Sequence, residues 1–265
     1  MAEESAPEMT EQYQSKPQKE AYKQPRRLRI LQRLYRAAYL GETHVNGRDN
    51  LDKLKPGVPV IFATTHITKE DVPATAAVVG EKFDTALVVL SGHKSSHDSA
   101  GTYLGMKFGG DENFLPVDSF VNRDGQWQLK PFNPDNFVPM IDALEHGRSI
   151  VIAAHNPVED KDNTTLPDKA GYGAVYLAQK TGAQIVPVAV ELIGEKPVKQ
   201  FLGPVKAIFN KPGAHITFGE PYTPEPVELS ETETSLSAIR KLQGQATNLM
   251  GRLAQMLPPE KRGKW

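Results

Sequence analysis

The sequence predicts an α/β fold: a single domain with a mostly parallel central sheet flanked by helices, and an N-terminal basic amphipathic helix. Short apolar runs of strand length, such as Val60 to Thr64, alternate with longer stretches of helical periodicity. With 265 residues and 39% hydrophobic content, the chain can bury one core of ordinary size. We expect a disordered arm at 1–25, the amphipathic helix at 26–42, the α/β domain at 43–258 and a basic, fraying tail at 259–265.

Composition excludes several classes of function. The net charge is −1, so the chain has no overall basic field for nucleic acid, and we expect no nucleic-acid partner. The absence of cysteine excludes disulfides, thiolate metal sites and a cysteine nucleophile. No apolar run approaches the ~18 to 20 residues of a membrane-spanning helix. We therefore expect a soluble, cytoplasmic protein.

The first predicted helix combines an apolar pattern with a high density of arginine. The apolar residues at helical spacing are Leu28, Leu31, Leu34, Tyr35 and Ala38, and the arginines between them are Arg26, Arg27, Arg29, Arg33 and Arg36. Such a helix at residues 26–40 is suited to the surface of an anionic membrane. It is equally suited to packing on its own domain with a solvated basic face.

The body of the chain repeats a strand–helix pattern. The predicted strands are Pro59 to Thr64, Ala86 to Ser91, Asn113 to Val117, Ser149 to Ala154, Gln184 to Glu191 and His215 to Gly219. The predicted helices are Val72 to Gly80, Asp135 to His146, Gly171 to Lys180 and a C-terminal helix after a capping box at Ser230 to Glu233. A small strand pair is expected around His44 to Leu51. The alternation indicates a largely parallel sheet.

His66 lies in the predicted turn between the strand that ends at Thr64 and the helix that begins at Asp71. Ligands of α/β proteins usually bind at such turns, and a helix start there offers backbone N–H groups to a developing negative charge. A carboxylate bonded to one ring nitrogen of a histidine leaves the other free to take a proton from a hydroxyl. The His66 and Asp71 pair therefore predicts general-base catalysis, although the same spacing also suits a simple capping pair.

The order of several segments is more specific than this pair. The segments are Val45 to Leu51, the strand from Gly57 to Phe62, His66-x-x-x-x-Asp71, Ala143 to Ile152, Leu166 to Ala174 and Ile185 to Val190. Together they resemble the glycerolipid and lysophospholipid acyltransferase family, typified by bacterial 1-acylglycerol-3-phosphate acyltransferase. The resemblance covers about His44 to Glu191.

The resemblance implies an O-acyltransferase of lipid metabolism, in the class of phospholipid biosynthesis enzymes. It would transfer a fatty acyl group from acyl-CoA or acyl-acyl-carrier protein to a hydroxyl of a lysophospholipid-like or other amphipathic acceptor. His66 would be the base and Asp71 its partner, with no metal or other cofactor. Such an enzyme would be cytoplasmic and peripheral at the inner face of the membrane.

Two departures from the family pattern affect the acceptor site. His155-Asn156-Pro157-Val158 replaces a Glu-Gly-Thr-Arg block, and Ser119 follows Asp118 where the family has an arginine. Arginine binds phosphate bidentately, whereas histidine and asparagine offer fewer donors and less charge. Since the chain lacks both arginine-bearing blocks, the residues expected to bind substrate are Lys94, Arg123, His155, Asn156 and Lys169.

Two other functions remain open. A metal-dependent hydrolase would use His93, His97 and Asp98, with His66 or His155 completing the site, because two histidines four residues apart share one helix face. A non-catalytic lipid-binding protein on the same fold would follow from loss of the arginine block. The sequence leaves the acyl length, the donor's carrier, the acceptor and the oligomeric state open.

Overall fold

The computed structural model describes residues 26–68, 70–82, 87–92, 113–117, 120–123, 126–129, 133–155, 164–193, 213–227 and 235–265. The helices are α1 (Arg26–Tyr39), α2 (Asp71–Lys82), α3 (Val138–Glu145), α4 (Gly173–Thr181) and α5 (Ser235–Gln255), with short 3₁₀ helices at Arg48–Lys53, Pro134–Phe137 and Pro259–Lys261. The strands are β1 (Thr43–Asn46), β2 (Val60–Thr64), β3 (Leu87–Gly92), β4 (Phe114–Val117), β5 (Phe120–Arg123), β6 (Gln126–Leu129), β7 (Ser149–Ala153), β8 (Gln184–Ile193) and β9 (Gly213–Phe218).

A seven-stranded sheet in the order β1-β9-β8-β2-β7-β3-β4 forms the centre of the molecule. All its neighbouring strands are parallel except β8 and β9, which are antiparallel. β2 lies in the middle, and all its residues are buried. A parallel strand covered on both faces is expected to be continuously apolar, as this one is until its final threonine. The predicted α/β fold with a mostly parallel sheet is confirmed.

The two faces of the sheet contribute to two hydrophobic clusters, because successive strand residues point to opposite sides. Ile61, Ala63 and Ile185 pack with residues of α3, α4 and α5. Phe62 and Val186 pack on the other face, with residues of α2. The carboxyl ends of β2, β7 and the paired part of β8 therefore meet at one edge, between these layers.

Most predicted elements are present, with ends that differ by one to three residues, but their pairing partners were not all predicted. The largest differences are in α1, which ends at Tyr39, and in α3, which begins at Val138 after a 3₁₀ helix. β1 pairs with β9 rather than with a neighbour in sequence, so the expected strand pair around His44 to Leu51 is wrong. The antiparallel pair of β5 and β6 was not predicted. Residues 1–25 and the capping box at Ser230 to Glu233 lie outside the described residues.

The C-terminal segment does not fray as expected. The Leu166 backbone N–H donates to the Lys261 carbonyl at 2.9 Å, and the Trp265 indole donates to the Pro167 carbonyl at 3.0 Å. Gly263 has a φ of +62°, and a Cβ there would lie 2.5 Å from the Leu166 carbonyl oxygen. This close approach fastens the segment to the loop that precedes α4.

Within the described ranges, every helix is too short or too polar to cross a bilayer.

Candidate active site

The carboxyl end of β2 continues past its last paired residue. The Thr65 backbone N–H donates to the Val188 carbonyl at 3.0 Å, and its hydroxyl accepts from the Val190 N–H at 3.0 Å. Thr64 and Thr75 hydroxyls lie 2.9 Å apart, which joins the strand end to α2. Because these groups are buried, each bond satisfies a polar atom that water cannot reach. The chain therefore enters the next turn from a fixed position.

His66 is partly buried in this turn and lies against a second histidine. Its backbone N–H donates to Nε2 of His155 at 2.9 Å, and the two ring centroids are 6.4 Å apart. His155 follows β7 directly and is only 2% exposed. Since Nε2 accepts this bond, the neutral His155 ring has its proton on Nδ1. His155 thus holds the backbone of His66 in place.

Asp71 folds its carboxylate back onto the turn. Oδ2 accepts the N–H of Ile67 at 2.9 Å and that of Thr68 at 3.3 Å, and Oδ1 accepts the hydroxyl of Thr68. The bond from Thr68 N–H to a carboxylate three residues later is half of a capping box. Thr68 thus donates both its N–H and its hydroxyl to the carboxylate of the first residue of α2. These donors to the Asp71 carboxylate, taken from the described part of the chain, do not include the His66 ring.

The protonation of Asp71 is set by two opposed effects. Burial disfavours the charged form and raises the pKa of this carboxyl to about 6, while the bonds from Thr68, Ile67 and Thr65 lower it. The side chain is 1% exposed, so burial outweighs the hydrogen bonds. The carboxyl is thus mostly ionised at pH 7 and mostly protonated at pH 5.

The expectation of free backbone N–H groups at this turn is wrong for three of them. The N–H groups of His66, Ile67 and Thr68 are bonded to His155 and Asp71. Buried backbone donors are nearly always paired, and here two side chains pair them. An oxyanion at this site would need donors other than these three.

Gly171 brings the start of the segment before α4 close to His155. Its N–H donates to the Ala154 carbonyl at 2.9 Å. A Cβ at this position would lie 2.9 Å from that carbonyl oxygen and 3.0 Å from the His155 Cα. The glycine is required because both contacts are to backbone atoms, which side-chain rotation cannot relieve.

The other predicted substrate-binding residues are only partly described. Lys169 has an exposed side chain in the loop before Gly171. Arg123 ends β5, but its side chain lies outside the described part of the chain, as do Lys94 and Asn156 entirely. The structure therefore unites His66, Asp71 and His155 at one edge of the sheet, while Lys169 lies exposed in the loop before α4.

The alternative metal site also lies outside the described residues, since His93, His97 and Asp98 belong to 93–112. Among the residues that are described, no group of three or more histidine, aspartate or glutamate side chains is arranged to hold a metal ion.

Thr68 is the site residue that sequence reasoning missed. Its signal was the Thr-x-x-Asp pattern of Thr68 and Asp71, which is a helix-start motif. The bond between the His66 backbone and His155 had no local signal, because 89 positions separate the two residues.

No protein-family profile matches this chain, and no curated protein sequence matches it either. Among solved structures, it is similar to the crystal structure of the 1-acyl-sn-glycerophosphate (LPA) acyltransferase PlsC from Thermotoga maritima. The TM-score is 0.46 and the sequence identity 13%, with 85% of this chain and 79% of that chain covered. This likeness assigns no role to any residue.

Proposed function

We propose that this protein is an O-acyltransferase with His66 as its general base. It would move a fatty acyl group from acyl-CoA or acyl-acyl-carrier protein to a hydroxyl of a lysophospholipid-like or other amphipathic acceptor. The observation that supports this most is the turn after β2, where the backbone of a partly buried histidine is bonded to the buried His155. A buried carboxylate bonds to the next two residues of the same turn.

The proposed reaction needs one proton acceptor and no bond to the enzyme. The His66 imidazole takes the proton of the acceptor hydroxyl while the hydroxyl oxygen attacks the thioester carbonyl carbon. The C–S bond then breaks, and the imidazolium returns the proton to the departing thiolate. The products are an ester and a free thiol.

Asp71 would stabilise the imidazolium form of His66. Its Oδ2 lies 2.9 Å from the backbone nitrogen of Ile67, the residue directly after His66. With a pKa of about 6 the carboxyl is charged at pH 7 although it is buried. An uncompensated buried negative charge favours a positive charge nearby, so it favours proton uptake by His66.

The substrate contacts follow from the same edge of the sheet. Lys169 is exposed in the loop that leads to Gly171, where it can attract the phosphates of the donor or of an anionic acceptor. Lys94, Arg123 and Asn156 remain proposed substrate contacts. His155 has Nε2 bonded to the His66 backbone, so we assign it first to positioning that residue.

We also propose that the protein acts as a peripheral protein at the cytoplasmic, anionic face of a membrane. Ile30 is 48% exposed and Leu34 is 60% exposed on α1, one turn apart. Arg26 and Arg33 are exposed beside them, and the first turn of α1 has no acidic residue. Exposed apolar side chains among arginines suit an anionic lipid surface.

The test is release of free thiol from long-chain acyl-CoA and acyl-carrier-protein thioesters, with and without a cell lipid extract. We expect lipid-dependent release from the wild-type protein. His66→Ala should lower it by ~10²- to 10⁴-fold, the usual contribution of a positioned base. The matched control is His146→Ala, because His146 is an exposed histidine just after α3 and should leave the rate unchanged.

Three results would contradict the proposal. A folded His66→Ala protein with full activity would remove the assigned base. Loss of release on chelation, restored by added metal, would favour the hydrolase with His93 and His97. Binding of lipid without thiol release from any donor would favour the non-catalytic lipid-binding protein.

A further inference from the structure

A cavity lies one strand away from the proposed catalytic turn. Its volume is about 260 Å³, and it lies where β1, β9 and β8 meet the end of α5. One wall consists of polar side chains from the sheet, and the other is formed chiefly by Met256, Leu257 and Pro258. The polar side chains are Asn46, Glu191, His215 and Thr217.

Strand register explains why these polar side chains share one face. His215 pairs with Glu191 on β8, and Thr217 pairs with Asn46 on β1. His215 and Thr217 are two residues apart in β9, so they point to the same side of the sheet. The polar wall is therefore built into the rigid sheet.

Ionic contacts leave this wall close to neutral. Lys261 Nζ lies 3.0 Å from Glu191 Oε1, and His215 Nδ1 lies 3.9 Å from Glu191 Oε2. His44 packs edge-on against the His215 ring, with ring centroids 5.1 Å apart. The Glu191 carboxylate can accept hydrogen bonds from hydroxyls, whereas an ionised phosphate oxygen would offer it no proton.

The cavity and the turn of His66 are connected through neighbouring strands. Thr65 bonds to both Val188 and Val190 of β8, so it lies beside Ala189, and Ala189 pairs with Thr217 on the other side. Two strand spacings, about 10 Å, therefore separate Thr217 from the residue before His66.

We propose that this cavity binds the uncharged, polyhydroxylated head group of the acceptor, such as a polyol or a single sugar ring. The inference rests on the proposed acyltransferase function. Groups such as Asn46, Thr217 and His215 can both donate to and accept from hydroxyls, as a polyol requires. The cavity is smaller than the ~300–1,000 Å³ of a site for a drug-sized ligand, which suits one small ring.

Saturation-transfer NMR with myo-inositol and methyl glucoside as probes, and with inorganic phosphate for comparison, tests this inference. We expect both polyols to bind with dissociation constants on the order of 1 mM, and phosphate to bind more weakly. Thr217→Val removes one hydroxyl and should weaken polyol binding about tenfold. Asn46→Ala, at an exposed position, should weaken it too, while Thr247→Val on the exposed surface of α5 should not.

The outcomes separate this inference from the proposed function. Lipid-dependent thiol release without any polyol binding would overturn the head-group site and leave the proposed function in place. Tighter binding of phosphate than of either polyol would overturn the chemical class. Equal binding by Thr217→Val, Asn46→Ala and wild type would place the polyols elsewhere. Polyol binding together with a fully active His66→Ala variant would overturn the assigned base and leave the binding site in place.

Discussion

Asp71 occupies a position where its charge is unfavourable for folding. Its carboxylate is buried, and its hydrogen bonds to the turn only partly offset the loss of hydration, since its pKa stays raised to about 6. A residue kept only as a helix cap would cost less as asparagine, which also accepts a bond from a backbone N–H. Strongly perturbed carboxyls are concentrated at functional sites. A carboxylate held at this energetic penalty is what the proposed role of Asp71 beside His66 requires.

The sign of the pH effect follows from proton binding. Between the unfolded pKa of 3.8 and the folded value of about 6, the folded state holds a proton that the unfolded state has lost. Stability is therefore highest below pH 4 for this group and falls as the pH rises through 6. This difference between the folded and unfolded pKa corresponds to about 3 kcal/mol of folding free energy lost when the pH is well above 6.

We predict that Asp71→Asn raises the free energy of unfolding at pH 7 by about 1–3 kcal/mol while lowering thiol release. Asparagine removes the buried charge and keeps one oxygen for the turn. Urea unfolding at pH 4 to 8 should show the gain growing with pH up to about 6.5. Asp142→Asn, at an exposed position of α3, serves as the control. Parallel stability profiles of wild type and Asp71→Asn, or an unchanged rate, would contradict the prediction.

At the scale of elements, replacing glycine by alanine is expected to have opposite effects on stability at Gly171 and at Gly244. Gly171 lies against the backbone of Ala154 and His155, whereas Gly244 is in the middle of α5 with nothing within 4 Å of a built Cβ. Glycine inside a helix lowers stability because its unfolded chain has more freedom. At Gly171, however, an added methyl must displace the strand end that positions His155.

Gly171→Ala should lower the free energy of unfolding by about 1–3 kcal/mol, the usual cost of overpacking. It should also lower thiol release by more than the loss of folded protein explains. Gly244→Ala should instead stabilise the protein by about 0.5–1 kcal/mol and leave the rate unchanged. Urea unfolding and kinetics on both variants measure this. A stabilised, fully active Gly171→Ala protein would show that the contact does not position His155.

Local patterns sufficed for those elements that carry their own signal. The buried run of β2 and the periodicity of α5 were visible directly, because burial on both faces or one face leaves a pattern in the sequence. The β5–β6 pair also had a signal, since Asp124-Gly125 between the strands is a common hairpin turn sequence. The β1–β9 pairing had none, because it joins residues about 170 positions apart in a register set by the whole fold.

At the scale of the whole molecule, the sequence located the turn of the site but not its internal bonding. The position of His66 between β2 and α2 follows from adjacent elements, so it could be predicted. The hydrogen bond from the His66 N–H to His155 forms only when β7 pairs with β2, so it requires the assembled sheet. The packed C-terminal segment was missed for the same reason, since its bonds to Leu166 and Pro167 form only after α4 and α5 are in place.

The charge of the whole molecule is distributed unevenly with respect to α1. The chain has a net charge of −1, yet α1 has five arginines and no acidic residue in a sequence of 14. Leu28 and Gln32 of α1 are buried against the domain, so the face with Ile30 and Leu34 points away from it. The predicted single apolar face is thus divided between the core and the surface. An anionic bilayer would be attracted to this one side of the molecule and would orient it.

We predict that the Ile30→Ser, Leu34→Ser double variant loses affinity for anionic vesicles by about 30-fold or more, because each side chain removes apolar area from water on docking. Co-sedimentation with phosphatidylglycerol vesicles measures this, and high salt should weaken wild-type binding because each arginine near the surface contributes about 1 kcal/mol at low salt. Val138→Ser is the matched control, since Val138 is 57% exposed on α3 rather than on α1. Equal losses in both variants, or wild-type binding that does not respond to lipid charge, would show that α1 packs on the domain without contacting a membrane.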